Sequence, residues 1–160
     1  MPYLFQTDWL WYFTPRVIRP ESLVMSFHGA KVALFLGDRL LVLLRDDRPD
    51  ILFPAHWDFP GGGREGDETP FETLAREAVE ETGLVLPESS IVWSVKLDAA
   101  HHPGQRVWFY VAHLPASVVQ HILFGDEGIC WALMTPTQFF ALGNAVPSLA
   151  DRLRLWPGLR

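Results

Sequence analysis

The chain has 160 residues, 49% hydrophobic and 20% charged, with a formal net charge of -6. That length and composition bound it to one globular domain with a substantial core, and the acidic balance argues against broad nucleic-acid binding through a basic surface. A lone Cys130 allows no internal disulfide and fits a reducing, cytoplasmic setting, no apolar run approaches transmembrane length, and Asp8 with no basic start does not read as a signal peptide. In chain order, residues 1–25 come first. They hold Tyr3, Phe5, Trp9, Trp11, Tyr12 and Phe13, with Pro15 and Pro20 breaking any long helix. They read as an aromatic arm packed on a domain formed by residues 26–160. The same rings also suit a homodimer contact or a wall for a base.

Residues 31–36 and 40–44 are apolar runs joined by Gly37-Asp38-Arg39, which predicts a hairpin of strands covered on both faces. The chain then turns polar, with Arg45 at the strand end. Residues 57–60 form a short strand feeding a glycine loop. Pro60-Gly61-Gly62-Gly63 is expected to be neither helix nor central strand, and its bare backbone can approach a ligand closely.

Next comes a helix with both ends marked. Thr69-Pro70-Phe71-Glu72 is a capping box with proline at the first helical position, and Gly83 ends the helix before Leu84. Phe71, Leu74, Ala75, Ala78 and Val79 form the expected buried stripe. Glu77, Glu80 and Glu81 are spaced to converge on another side, where like charges cost about 0.2–0.5 kcal/mol per pair. Glu80 and Glu81 also sit in the last turn, where the helix dipole favours cations. A solvated acidic face is one reading. A hard divalent cation, Mg²⁺ or Mn²⁺, would relieve both penalties.

Beyond the helix, Ile91, Trp93, Val95 and Leu97 alternate onto one face of a strand, and a second strand spans residues 106–114. The turn between them carries His101-His102-Pro103-Gly104. Adjacent histidines on a strand end point apart, so turn chemistry competes with catalysis or substrate contact. A last strand covers residues 129–134. Thr135-Pro136-Thr137-Gln138 caps a short helix expected to end at Gly143, and Ser148 caps a final helix through Leu155.

Gly62, Glu68, Arg76, Glu77, Ala78, Glu80, Glu81, Gly83 and Leu84 resemble, position by position, the box of the Nudix hydrolases, G-x5-E-x7-R-E-U-x-E-E-x-G-U with U a bulky aliphatic. Ala78 is the soft match, being small. The resemblance implies an α/β fold, an α/β/α sandwich with a mixed sheet flanked by helices. It implies hydrolysis of the diphosphate linkage in a nucleoside diphosphate derivative with Mg²⁺, for which Mn²⁺ can substitute. Glu77, Glu80 and Glu81 would be the metal-binding and catalytic acids, one of them deprotonating water. The Gly62 carbonyl would be a further ligand. Glu68 and Arg76 would brace loop against helix, although Arg76 also stands where a surface cation could pair with Glu72 or Glu80. Arg45 and the backbone of Gly61 and Gly62 would position the substrate. Glu127, or its competitor Asp126, would be the acid that reaches the metal site from before the last strand. A proline or tyrosine past the box marks some subfamilies; here Ala99, Ala100, His101 and His102 occupy that region. A MutT-type nucleoside triphosphate substrate is therefore the default, with a nucleotide sugar as the alternative. A Nudix-fold nucleotide-binding regulatory module without turnover is the alternative of another class.

Overall fold

The computed structural model describes residues 26–159, so the aromatic arm expected over residues 1–25 lies outside the described residues. The order is β1 (Gly29–Leu36), β2 (Arg39–Leu44), β3 (Trp57–Asp58), β4 (Gly61–Gly63), α1 (Pro70–Thr82), β5 (Ile91–Asp98), β6 (Arg106–Leu114), β7 (Cys130–Met134), α2 (Pro136–Phe140) and α3 (Pro147–Arg154).

One mixed sheet holds all the strands. β1 runs parallel to β6 along its whole length, β5 is antiparallel to β6, and β7 is antiparallel to β2. β1 and β2 pair only beside their hairpin, at Phe35↔Leu40 and Leu36↔Arg39. Beyond that point they part like a fork. β3 takes the free edge of β2, and β4 takes the free edge of β1, with Gly29 opposite Gly63 and Lys31 opposite Gly61. Residues 57–63 thus fill the fork, and the site grows from this place.

Both faces of the sheet are covered, which is why β1 and β2 read as unbroken apolar runs. Ala30, Val32, Leu34 and Leu36 pack with Leu74 and Ala78 of α1. Ala33 and Phe35 face the other way, with Phe139 of α2 and Leu149 and Leu153 of α3. The result is an α/β/α sandwich. Among the described residues no helix is long and apolar enough to cross a membrane.

The glycine run departs from the expectation of a loop, because Gly61–Gly63 is a strand. Gly61 has φ 126°, and a Cβ there would collide with the Ala30 carbonyl. A Cβ on Gly29 would collide with the Gly62 carbonyl in turn. Pairing at this distance needs glycine on both strands, and glycine's usual weakness in strands gives way to that fit.

Other local signals were displaced by tertiary needs. A bulge between Ile91 and Trp93 shifts the β5 register, so Ile91 packs on the α1 side while Trp93, Val95 and Leu97 stay on the α3 side. The buried stripe of α1 is Leu74, Ala78 and Thr82 with Thr73, whereas Val79 is 46% exposed. Thr82 tolerates burial because its Oγ1 donates to the Ala78 carbonyl at 2.6 Å. α2 ends at Phe140 and not at Gly143. The backbone after it is drawn to β3 instead: Trp57 N–H donates to Asn144, and Val146 N–H donates to Trp57. For the same reason Val146, not Ser148, stands at the start of α3, with Pro147 in its first turn, and the helix stops at Arg154.

Candidate active site

Both ends of α1 are built as their local chemistry dictates. Thr69 and Glu72 exchange the capping-box hydrogen bonds, and Gly83 closes the helix at φ 71°. With Leu74 and Ala78 pinned to the sheet and Thr82 buried, the neighbouring positions Glu77 and Glu81 overhang β4. Glu81 Oε2 accepts the Gly61 N–H at 2.8 Å. A Cβ on Gly62 would run into the Glu77 carboxylate, so the bare α-carbon makes the room that group occupies.

The three acids do not converge on one patch. Glu77 and Glu81, a turn apart, point into the cleft. Glu80 is rotated outward, with its side chain 57% exposed. Arg76 draws both of its neighbours: Nη1 donates to Glu77 Oε1 at 2.9 Å and to Glu80 Oε2 at 3.0 Å. Among the described residues no three acid, histidine or cysteine side chains are grouped to hold an ion as they stand.

Arg76 reaches the other way as well. Its Nε and Nη2 donate to the two Glu68 oxygens at 2.7 and 3.2 Å, and Nη2 donates to the Gly63 carbonyl at 2.8 Å. The structure thus brings Glu68, Arg76, β4 and the acidic helix into one hydrogen-bonded unit. Arg76 first, then the Glu65 N–H, holds the Glu68 carboxyl down at about 2.

Burial pushes Glu81 up to about 7, against the pull of Lys31 and the Gly61 N–H, and burial also raises Glu77 against Arg76. The folded state therefore holds a proton on Glu81 that the unfolded state releases at its ordinary value, 4.5. Stability from this group is full below pH 4.5 and falls as pH rises toward about 7. In chelator, the melting temperature should fall across that window, and Glu81→Gln should flatten the fall. A thermal-melt series in which wild type and variant share one slope would place Glu81 outside the buried site.

The facing wall is cationic, and sequence reasoning missed most of it. Asp58 of β3 has a side chain only 7% exposed, and its Oδ2 accepts from Lys31 Nζ and from Arg45 Nη1, each at 2.9 Å. Its Oδ1 takes the Phe59 N–H at 2.8 Å. Lys31 also donates to the Phe59 carbonyl and Arg45 to the Leu52 carbonyl, both at 3.0 Å. Arg45 was expected here; Lys31 and Asp58 were not. The available signal was one charge inside an otherwise apolar strand, AKVALFL.

Between the walls lies a cleft of 440 Å³, bordered also by His101, His102, Arg152 of α3 and Glu127. The two histidines do point apart: His102 packs on His28 at 3.9 Å, and His101 meets Phe53 edge-on at 4.8 Å. Phe53 sits at φ 54° and Ala55 at φ 52°, uncommon for residues with a Cβ. Glu127 borders both the cleft and the adjoining hollow, whereas Asp126 borders only the hollow.

Oxygen donors dominate the acidic side, with Glu77, Glu81 and Glu127 all bordering the cleft, while the Gly62 carbonyl lies against Gly29 of β1. Glu81 has the Gly61 N–H as its hydrogen-bond partner and remains a desolvated acceptor. That donor set fits a hard divalent cation and suits neither a soft metal nor a redox centre.

A family-wide description of the NUDIX domain matches residues 26–155. RNA pyrophosphohydrolases of two Xylella fastidiosa strains are 62% identical over 32 residues, a stretch that is 20% of this chain and 16% of the relatives' length. The MutT protein of Methanosarcina mazei superposes with a TM-score of 0.62 at 19% identity, covering 81% of this chain and 92% of that one. A Nudix hydrolase from M. smegmatis gives 0.63 at 21% identity, covering 81% and 83%. At such identities these two show a common fold. With the domain description spanning most of its residues, the chain belongs to the Nudix family.

Proposed function

We propose that the protein is a metal-dependent pyrophosphohydrolase that cleaves the diphosphate linkage of a nucleoside diphosphate derivative. A nucleoside triphosphate is the first choice and a nucleotide sugar the second. The observation that carries this is one cleft with the partly buried carboxylates of Glu77 and Glu81 on one wall and a cationic clamp on the other. A polyanion with a hard cation satisfies both walls; neither an uncharged nor a cationic ligand does.

Glu77, Glu80, Glu81, Glu127 and the Gly62 carbonyl would hold Mg²⁺ or Mn²⁺. Bound there, the ion would neutralise phosphate oxygens and lower the pKa of a water molecule. Arg45, with the backbone of Gly61 and Gly62, positions the diphosphate. The Glu68–Arg76 pair braces β4 on the helix. Glu81, which faces the cleft and accepts the Gly61 N–H, is placed to accept the proton of the attacking water. The water oxygen bonds to one phosphorus, the anhydride P–O bond breaks, and a phosphate-bearing group leaves. A cytoplasmic site of action rests on the lone, exposed Cys130.

The test is steady-state product release across nucleoside triphosphates, nucleotide sugars, dinucleotides and an RNA, the last because the short match is to an RNA pyrophosphohydrolase. Metal-dependent release from at least one nucleotide is expected. A folded protein that binds nucleotide and metal yet releases nothing from any of them would establish the regulatory module instead.

A further inference from the structure

α3 brings to the cleft a cation that the proposed chemistry does not use. Arg152 lies beside Leu149 and Leu153, the residues that seat α3 on the sheet, and its side chain borders the cleft. Burial pushes its pKa below the usual arginine range, and only Asp58, acting through space, pulls it back. Asp58 is already taken, with Lys31 and Arg45 on one oxygen and the Phe59 N–H on the other. A guanidinium carries five donors, and those of Arg152 bond to no protein acceptor among the described residues but stay open to the cleft, where an anionic ligand can take them. Three cations around one buried carboxylate leave this wall with an excess of positive charge. A diphosphate can occupy Lys31 and Arg45; Arg152 then still lacks an acceptor.

We propose that Arg152 is a specificity residue that takes a third phosphate, so that the cradle of Lys31, Arg45 and Arg152 selects nucleoside triphosphates over diphosphates and nucleotide sugars. Asp58 is its positioning residue. It fixes Lys31 and Arg45 side by side and keeps them from spreading under mutual repulsion. The fork of a guanidinium suits a phosphate group bidentately, which lysine cannot reproduce. The proposal rests on the pyrophosphohydrolase reading for the orientation of the substrate in the cleft.

The experiment is calorimetric binding of the non-hydrolysable α,β-methylene analogues of ATP and ADP, in Mg²⁺, to wild type, Arg152→Gln and Arg152→Lys. Wild type should prefer the triphosphate analogue about 10–100-fold, the worth of a charged hydrogen-bonded contact. Arg152→Gln should bring that preference close to unity and leave the diphosphate analogue nearly unchanged. Arg152→Lys, which keeps the charge and guards against a folding defect in the glutamine variant, should retain part of it. A preference that survives Arg152→Gln, or none in wild type, overturns the proposal. Turnover separates the two readings. Loss of preference in a protein that hydrolyses no nucleotide leaves the cradle standing and removes the hydrolase; hydrolysis with an unaltered preference does the reverse.

Discussion

Glu81→Gln should lower nucleotide hydrolysis by about 10²–10⁴-fold, the usual range for loss of a general acid–base group. The substitution keeps side-chain volume. The amide oxygen can still accept the Gly61 N–H that Glu81 Oε2 accepts at 2.8 Å, so β4 and α1 should stay in place. What is lost is a negative charge on the cleft wall, able to hold the ion or to take the proton of water. Glu80→Gln should cost less. Its side chain is 57% exposed and its charge is already answered by Arg76, so it has to leave that partner before it can serve an ion. Measured at saturating Mg²⁺, with circular dichroism and melting curves confirming the fold, the pair ranks the two acids. Turnover of Glu81→Gln within tenfold of wild type would remove Glu81 as the base. Equal losses for both variants would put Glu80 on the same footing.

That ranking was not legible in the sequence, although the acids were. Spacing shows that Glu77, Glu80 and Glu81 share a helix; it does not show how the helix is rolled. The roll is set by Leu74 and Ala78 seating on β1 and by the burial of Thr82, whose inward place depends on a hydroxyl that satisfies itself on its own helix. Features whose partners are near in sequence could be read. The Thr69–Glu72 box and the Gly83 stop are of this kind, as is the Gly37-Asp38 hairpin. Features settled by a distant strand could not. Gly61–Gly63 becomes a strand because Gly29 also lacks a Cβ. Ile91 changes face because of a bulge against β6, and α2 stops early because Trp57 claims the backbone beyond it. The cationic wall belongs to the same class. Lys31, Asp58 and Arg152 come from β1, β3 and α3, and only the fork in the sheet makes them neighbours.

Arg76→Ala should lower turnover by about 10²-fold at saturating metal, because small misplacements of reacting groups are costly. The reasoning follows its contacts. Arg76 holds both Glu68 oxygens, the Gly63 carbonyl, Glu77 and Glu80 at distances from 2.7 to 3.2 Å. Without it Gly63 loses a donor and β4 keeps only the Gly61–Glu81 hydrogen bond to α1, while Glu77 is left as a bare charge near Glu81. The helix itself should persist, since its cap and core stripe do not involve Arg76. A second readout separates bracing from mere surface charge. Glu68 is held at about 2 against an ordinary 4.5, chiefly by Arg76, so its contribution to stability is present above pH 4.5 and fades as pH falls toward 2. Arg76→Ala should therefore melt several degrees lower at neutral pH and lose part of the acid-induced drop that wild type shows in this window. Arg76→Lys should recover charge but not the two-point grip on Glu68, and so restore activity only in part. Unchanged turnover together with an unchanged acid slope would return Arg76 to the class of surface cations and leave β4 held by its pairing with β1 and by the Gly61–Glu81 hydrogen bond.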